Sequence, residues 1–455
     1  MIRWPTLVSA YRDGRYDASS GRLAGHGIRK YQGTMKTRSM SNASGAGVRF
    51  GILVWFVWAC TFSGLAAAQT ATPIRIGLLT VKTGPLATGG IQMEQGLQVY
   101  LDEHGGMMAG RPVELIVADT GGSPAQAKTK AQELVERDRV DAIIGPLAAY
   151  EALAINDYVA DVGIPTLSIA AAEDMTQRTP NPYFIRASSS SAQAAHPMGH
   201  YAAVDRGFKR AATIGDDIAY GQEMVAGFQR VFEENGGQVV LKLWPPLNVA
   251  EYSAYIAQLR NVDVVYMAFA GGNGLRFMRQ YEEFGLKGAI PLLGGMTSAD
   301  ESLLRNMTTE ALGVITSSFY SAELDTPSNR RFVADMRAAY DVDPGYYAVS
   351  AYLEAMVLAA GLEQVGGRTD DKAALMTALR SVTLEDSPRG YVRFDEFGNV
   401  VGNIYILEVQ RRDGRLVNTP IKTYENVSQF WTYDPQWFLA QPVYSRDYPP
   451  AQFAR

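Results

Sequence analysis

His196 and His200 stand four residues apart, the spacing at which two imidazoles on one helix face can share a zinc ion. A helical metalloprotease would place a Glu after the first histidine; this chain has Pro197 there. The pair therefore reads as surface or lobe-junction histidines, and no metal is expected. Other catalytic patterns are missing as well. The first Gly-containing loop, Leu79 to Pro85, holds no G-x-G-x-x-G, and Gly271-Gly272-Asn273-Gly274 does not match it. No G-K-[ST] closes a Gly-rich loop, and no G-x-S-x-G elbow occurs. Adjacent acids such as Glu282-Glu283 read as a solvated helix face. The sequence thus predicts no catalytic residue and no cofactor, and the chain is not expected to be an enzyme.

One stretch does carry binding chemistry. Ala142-Ile143-Ile144 is a short apolar run that reads as a buried strand. Gly145-Pro146 ends it, and a helix starts near Tyr150-Glu151. A helix N-terminus at the C-terminal edge of a sheet offers free backbone N–H groups to an anion such as a carboxylate or phosphate.

The elements that must position this stretch repeat in order. Strands are expected at Pro73–Leu79, Val113–Asp119, Ala142–Ile144 and Ile164–Ile169, with helices at Ile91–Asp102 and Pro124–Arg137 between them. The polar run Ala187 to Gln193 reads as a crossing. A second series follows, with strands at Ala211–Gly215, Val239–Leu243, Val262–Phe269 and Pro291–Gly295 and helices at Gly221–Glu234, Tyr252–Arg260 and Asn273–Phe284. Ser328–Tyr340 and Tyr346–Gln364 read as later helices, Tyr391–Phe394 and Asn403–Val409 as late strands, and the end from Tyr424 as an aromatic, Pro-rich tail. Strands alternating with helices predict an α/β protein with two doubly wound parallel-sheet lobes.

The N-terminus differs from the rest. Nine of the 42 basic and two of the 47 acidic residues fall in the first 50, so positions 51–455 carry 33 basic against 45 acidic residues, a net of −12. That balance argues against a nucleic-acid partner. The uncharged run from Gly51 to Leu65 is followed by Ala66-Ala67-Ala68. Charged, apolar, then small is the order of a secretory signal peptide, with cleavage expected after Ala68. Met35 or Met40 would make a more ordinary start. The run 51–68 is barely long enough to span a bilayer. Cys60 is the only cysteine, so a mature chain beginning at Gln69 has no disulfide and no Cys-ligated metal.

Ile74-Arg75-Ile76-Gly77 with Thr83-Gly84-Pro85, then Ala109 to Asp119, Val140 to Gly145, Gly163-Ile164-Pro165, Phe184-Ile185-Arg186, Asp217 to Gln222 and Phe284-Gly285-Leu286-Lys287 occur in a telling order and spacing. Over roughly residues 73–412 the chain resembles the type I periplasmic binding proteins of the branched-chain amino acid group of ABC importers. The resemblance implies two α/β lobes joined by three crossovers, near Ala187–Ser191, Thr316–Phe319 and Glu396–Val401, with the ligand in the cleft between them. Lobe 1 would combine 69–188 with 319–396, and lobe 2 would combine 189–318 with 397–420. The remainder is a 1–68 leader and a 421–455 tail. It also implies a monomer in the periplasm whose partners are a small-molecule ligand and a membrane permease.

Carried over residue by residue, the family pattern changes here. Gly89 stands where the amino-acid binders use a bulky aromatic, Ala149 where they use a Ser hydroxyl (with Tyr150 next), and Ala172 (after Ala170) where they use Thr. Met296, beside Thr297, stands where an acid meets the ligand ammonium. Tyr220 matches a ligand-packing aromatic, and Phe269 lies near a second. An ammonium left unpaired in a buried site costs several kcal/mol, so these changes point away from an ordinary amino acid. Small residues at Gly89, Ala149 and Ala172 imply a wider pocket, and Phe269, Met296, Tyr220 and Tyr150 imply apolar, flat walls suited to a ring. The carboxylate would rest on N–H groups after Ala149, with Ser188, Ser189 or Gln193. The tail around Ser428-Gln429-Phe430-Trp431 also looks like that of the aromatic-acid subgroup. The reading is therefore an ABC-importer receptor for an aromatic carboxylate. The alternatives are a branched-chain amino acid or amide/urea receptor, or a sensor feeding a signalling receptor.

Overall fold

The computed structural model describes residues 72–453. The expected signal peptide, its cleavage point, the alternative starts and Cys60 lie outside them.

Side-chain alternation in the first strand, β1 (Ile74–Thr80), serves both faces of a sheet. Ile74, Ile76 and Leu78 join one core, and Leu79 joins another. The first lobe continues with α1 (Ala87–Glu103), β2 (Met107–Met108), β3 (Arg111–Asp119), α2 (Pro124–Gln132), β4 (Ala142–Ile144), α3 (Ala149–Val162), β5 (Thr166–Leu167) and β6 (Phe184–Ile185). The strand order is β2-β3-β1-β4-β5-β6, parallel except where β2 pairs with β3. Helices α2 and α3 pack on the Leu79 and Ile143 side; α1 packs on the Leu78 and Ile144 side. Local chemistry sets the ends. Ser123 accepts from the Gln126 N–H, with Pro124 opening α2, and Gly163 at φ 64° closes α3.

The second lobe begins with α4 (Ser191–His200) and continues through β7 (Arg210–Gly215), α5 (Ala219–Glu234), β8 (Gln238–Leu243), α6 (Ser253–Ile256), β9 (Val264–Ala268), α7 (Asn273–Glu283), β10 (Leu292–Gly294), α8 (Glu301–Leu304) and β11 (Ile315–Ser318). The chain then adds α9 (Pro327–Tyr340), α10 (Tyr346–Gln364) and α11 (Lys372–Ser381) against the first lobe, α10 lying along α1. It ends with β12 (Val392–Phe394), β13 (Val400–Arg412), β14 (Arg415–Val427) and α12 (Pro435–Leu439). The second sheet runs β12-β13-β11-β10-β9-β7-β8, with β14 on β13.

Two details differ from the expected division. Residues 392–394, assigned to lobe 1, pair antiparallel with β13 and so belong to the second sheet. That sheet also does not stop at 420, because β14 follows β13 as a long hairpin to Val427.

The crossings are stitched together. The Arg186 N–H donates to the Gly398 carbonyl at 2.9 Å, and the Val400 N–H donates to the Arg186 carbonyl at 3.0 Å. The tail folds back on lobe 2, where Phe430, Phe438 and Tyr444 cover Ala192 of α4 and Ala226 of α5. This explains the histidines. His196 is fully buried beneath the tail, its Nε2 3.1 Å from the Tyr444 hydroxyl, and burial pulls its pKa down to about 3. His200 Nδ1 lies 3.0 Å from the Tyr424 hydroxyl. His196 is thus neither a surface nor a lobe-junction residue, because the aromatic tail needs a polar partner at its seam with α4. Among the described residues no group of three or more His, Cys, Asp or Glu is placed to hold a metal.

Candidate functional site

The lobe-1 wall is built at the end of β4. Gly145 has φ 112°, and a Cβ there would meet the Leu79 carbonyl oxygen at 2.1 Å, so only glycine lets the chain turn against β1. Leu147 and Ala148 follow, and α3 starts at Ala149. The buried Glu151 carboxylate accepts the Ala148 N–H at 3.1 Å and a hydrogen bond from the Thr120 hydroxyl. Among the described residues, the Ala149 and Tyr150 N–H groups have no acceptor. Both residues line the space between the lobes at the start of α3, where the positive end of the helix dipole lies.

The lobe-2 wall centres on Tyr220, in the first turn of α5. Thr297 Oγ1 lies 2.9 Å from both the Tyr220 hydroxyl and the Phe269 carbonyl oxygen. One threonine proton serves one acceptor, and the carbonyl can only accept, so the proton goes there. The Tyr220 O–H then donates to Oγ1 and accepts from the Thr297 N–H at 3.3 Å. Burial pushes the Tyr220 hydroxyl up to about 12, so it stays neutral.

Between these walls lies a cavity of about 40 Å³, bounded by Tyr150, Tyr220, Tyr346 and Tyr347, by Leu86, Leu147 and Ile218, and by small residues and Thr297. No charged side chain lines it. A larger cavity of about 380 Å³ opens elsewhere between the lobes, but charges of both signs, acids and arginines, line it. Among them Asp343 is already paired with Arg337 at 2.6 Å and Arg415 at 3.0 Å, the signature of a solvated ionic crevice.

The residues singled out from sequence divide clearly. Ala149, Tyr150, Tyr220 and Thr297 line the cavity together. Four others lie one position from a lining residue. Phe269 points into the lobe-2 core against Tyr252 and Phe277, and Ala270 faces the cavity. Met296 is buried in the core, and Thr297 takes the wall. Ala170 and Ala172 lie behind the wall, their carbonyls accepting from Arg186, while Ala171 lines it. In extended chain, neighbouring side chains face opposite ways, so a one-residue slip exchanges core for cleft. Gly89 sits behind the Tyr347 ring, so the room expected there is already filled. Ser188 and Gln193 belong to the hinge. Gln193 caps α4 and donates to the Val400 and Val427 carbonyls, both at 2.8 Å, while the Ser188 carbonyl accepts from Arg389.

The electrostatics behind the wall are balanced by buried groups. Arg186 donates to the Ala170 and Ala172 carbonyls, to Thr176 at 2.9 Å and to Asn399 at 2.7 Å. Burial lowers it to about 10, so it remains charged at neutral pH. Nearby, burial pushes Glu173 up to about 7 and Glu223 well above its usual range. The arrangement can hold an uncharged or anionic, flat, mainly apolar solute between two lobes. It offers no nucleophile with an adjacent base.

The profile of the family described as "Periplasmic binding protein" matches residues 73–415. The chain belongs to this periplasmic binding protein family. A relative from Brucella melitensis, "Leu/Ile/Val-binding protein homolog 6", is 30% identical over 373 residues, 80% of this chain and 95% of the relative. Among solved structures, an ABC transporter substrate-binding protein from Sphaerobacter thermophilus is 32% identical with a TM-score of 0.74, over 79% of this chain and 99% of that one. A solute-binding protein of an ABC transporter from Rhodopseudomonas palustris BisB5, in complex with 3,4-dihydroxybenzoic acid, is 31% identical with a TM-score of 0.75, over 78% and 98%.

Within this family member, Tyr346 and Tyr347 were not anticipated at the cleft. Their signal is Asp343-Pro344-Gly345-Tyr346-Tyr347, a breaker and glycine cap followed by two aromatics in the first turn of a helix. Asp300 of lobe 2 fixes that turn, its carboxylate accepting the Tyr346 N–H at 2.6 Å.

Proposed function

We propose that this periplasmic binding protein captures an aromatic carboxylate between its lobes and hands it to the permease of an ABC importer. One observation carries the reading: a cleft walled by four tyrosines, with no side-chain charge, whose free donors are the Ala149 and Tyr150 N–H groups. The carboxylate rests on those N–H groups at the start of α3, and the ring lies among Tyr150, Tyr220, Tyr346 and Tyr347. An α-amino acid would bring an ammonium into a cleft with no lining Asp or Glu, and burying it unpaired costs several kcal/mol. The dihydroxybenzoate-bound neighbour supports the same ligand class.

Uptake requires movement. A cavity of about 40 Å³ is far below the ~150 Å³ that accommodates benzene in a protein interior, so the lobes part to admit a ring and close on it. The protein acts in the periplasm as a monomer, exported by its leader.

A thermal-shift panel of benzoate, 4-hydroxybenzoate, 3,4-dihydroxybenzoate, leucine and urea tests this. An aromatic acid at 100 times its Kd stabilises the fold by about 2.7 kcal/mol and raises the midpoint. A shift with leucine or urea and none with the aromatic acids refutes the ligand class.

A further inference from the structure

We infer that Gly89, acting through the Tyr347 ring, sets how large a substituent the ligand can carry on the end opposite its carboxylate. The inference rests on the aromatic-carboxylate reading.

The helices that carry the carboxylate donors and Tyr347 pack on opposite faces of the first sheet, and their first turns meet at its edge, where Ala149, Tyr150 and Tyr347 share one apolar cluster. Ala149 opens α3, which packs on the face carrying Leu79 and Ile143. Tyr347 belongs to α10, which packs with α1 on the face carrying Leu78 and Ile144. Both reach the same cavity. A benzoate held by its carboxylate at Ala149 and Tyr150 shares the cavity with Tyr347, and on this reading its far rim meets that ring.

Tyr347 is held from behind. A Cβ built on Gly89 would lie 2.8–2.9 Å from Cδ2, Cε2 and Cζ of its ring. Such a contact must be relieved, and the two helices cannot separate to do so. A Cβ on Gly96 of α1 would meet the Ala348 carbonyl oxygen at 2.0 Å, so α1 and α10 are already in backbone contact. On its other side α1 is held close to the chain after β1, where a Cβ on Gly90 would meet the Val81 carbonyl oxygen at 1.7 Å. The start of α10 is pinned as well. The Tyr346 N–H donates to Asp300, the Gly345 N–H donates to Gln92 Oε1 at 3.0 Å, and the Tyr346 hydroxyl donates to the Ile169 carbonyl at 2.8 Å. The coordinate that remains is rotation of the Tyr347 ring about its Cα–Cβ bond, at the expense of the contact between its hydroxyl and the Gly271 backbone, and the open space beside it is the cavity. A methyl at position 89 thus pushes the ring toward the ligand's far rim, and a smaller residue at 347 withdraws it.

Titration calorimetry on Gly89→Ala, Tyr347→Leu and the double variant, with benzoate and 4-hydroxybenzoate, tests this. Wild type supplies the reference ratio of the two Kd values. Gly89→Ala is expected to weaken 4-hydroxybenzoate at least tenfold more than benzoate. Tyr347→Leu is expected to move the ratio the other way, and in the double variant the penalty of the added methyl on the ratio disappears. Should Gly89→Ala fail to fold, the Tyr347→Leu ratio decides alone. Wild type binding both acids, with a ratio that neither single variant moves beyond twofold, overturns the gate and leaves the ligand class standing. Wild type binding neither acid overturns the ligand class and the gate with it.

Discussion

Tyr220 and Phe269 are both buried aromatics of lobe 2, yet their substitution should read out differently. Tyr220 faces the cavity and ties Thr297 to the wall; Phe269 fills the core between Tyr252 and Phe277. Truncating Phe269 to Ala leaves a core void and is expected to cost about 3–5 kcal/mol of unfolding free energy. Tyr220→Ala removes a wall of the cleft and is expected to weaken ligand binding at least tenfold, with a smaller loss of stability. Urea denaturation alongside calorimetry separates the two. Unchanged affinity in Tyr220→Ala would remove it from the site. The same residues show how far sequence reaches. The resemblance places Tyr220 sharply, because Ala-Tyr-Gly-Gln is a close local match to the family pattern. Phe269, Met296, Ala170 and Ala172 each lie one residue from a cavity-lining neighbour, because nothing local fixes the phase of a loop leaving a strand.

At the scale of elements, the segments that meet the cleft bring buried acids with them. Glu173 follows the β5 loop and is fully buried, its carboxylate accepting the Ala192 N–H at 2.8 Å at the start of α4. Asp216 ends β7 and accepts the Ala270 N–H at 2.8 Å and the Asn273 amide at 2.6 Å. Burial pushes each up to about 7. The sign follows from proton linkage: below the ordinary carboxylate range both states hold the proton and nothing is lost. Between pH ~4 and ~7 the unfolded chain releases these protons while the folded chain keeps them, so stability falls as pH rises through this window. For Glu173, a rise from 4.5 to about 7 corresponds to a loss on the order of 3 kcal/mol. Urea midpoints from pH 4.5 to 8 should decline, and Glu173→Gln should flatten part of the slope. A midpoint that climbs over that range would contradict this account. Helices were legible where apolar residues recur on one face, as in Pro327–Tyr340, or where a long apolar run is buried all round, as in Tyr346–Gln364. The α1 start was not: the helix expected from Ile91 begins at Ala87, where close packing on Val81 and Tyr347 admits Gly89 and Gly90 into its first turn. The strand Arg415–Val427 was hidden by Pro420 and by the polar, half-exposed residues of a strand that pairs with β13 alone.

For the whole molecule, two βα series were readable from order alone, and with them the two-lobed architecture. What sequence could not supply was the contact between distant segments. Tyr346 and Tyr347 reach the cleft only because α10 returns to the first lobe after the chain has passed through β11 of the second sheet, some 200 residues after β4. The aromatic tail likewise gains meaning only when it closes over His196 and α5.

The uncharged lining of the cleft has a thermodynamic consequence. A receptor that grips an anion with an exposed lysine or arginine loses affinity as salt screens the pair. Here the free donors are backbone dipoles, and Arg186, whose guanidinium donates to the carbonyls on either side of Ala171, is fully buried behind the wall and beyond the reach of mobile ions. Affinity for an aromatic carboxylate should therefore change less than about twofold between 20 and 500 mM sodium chloride, as titration calorimetry can read. Such a receptor would keep its grip on the ligand through swings of external osmolarity and ionic strength.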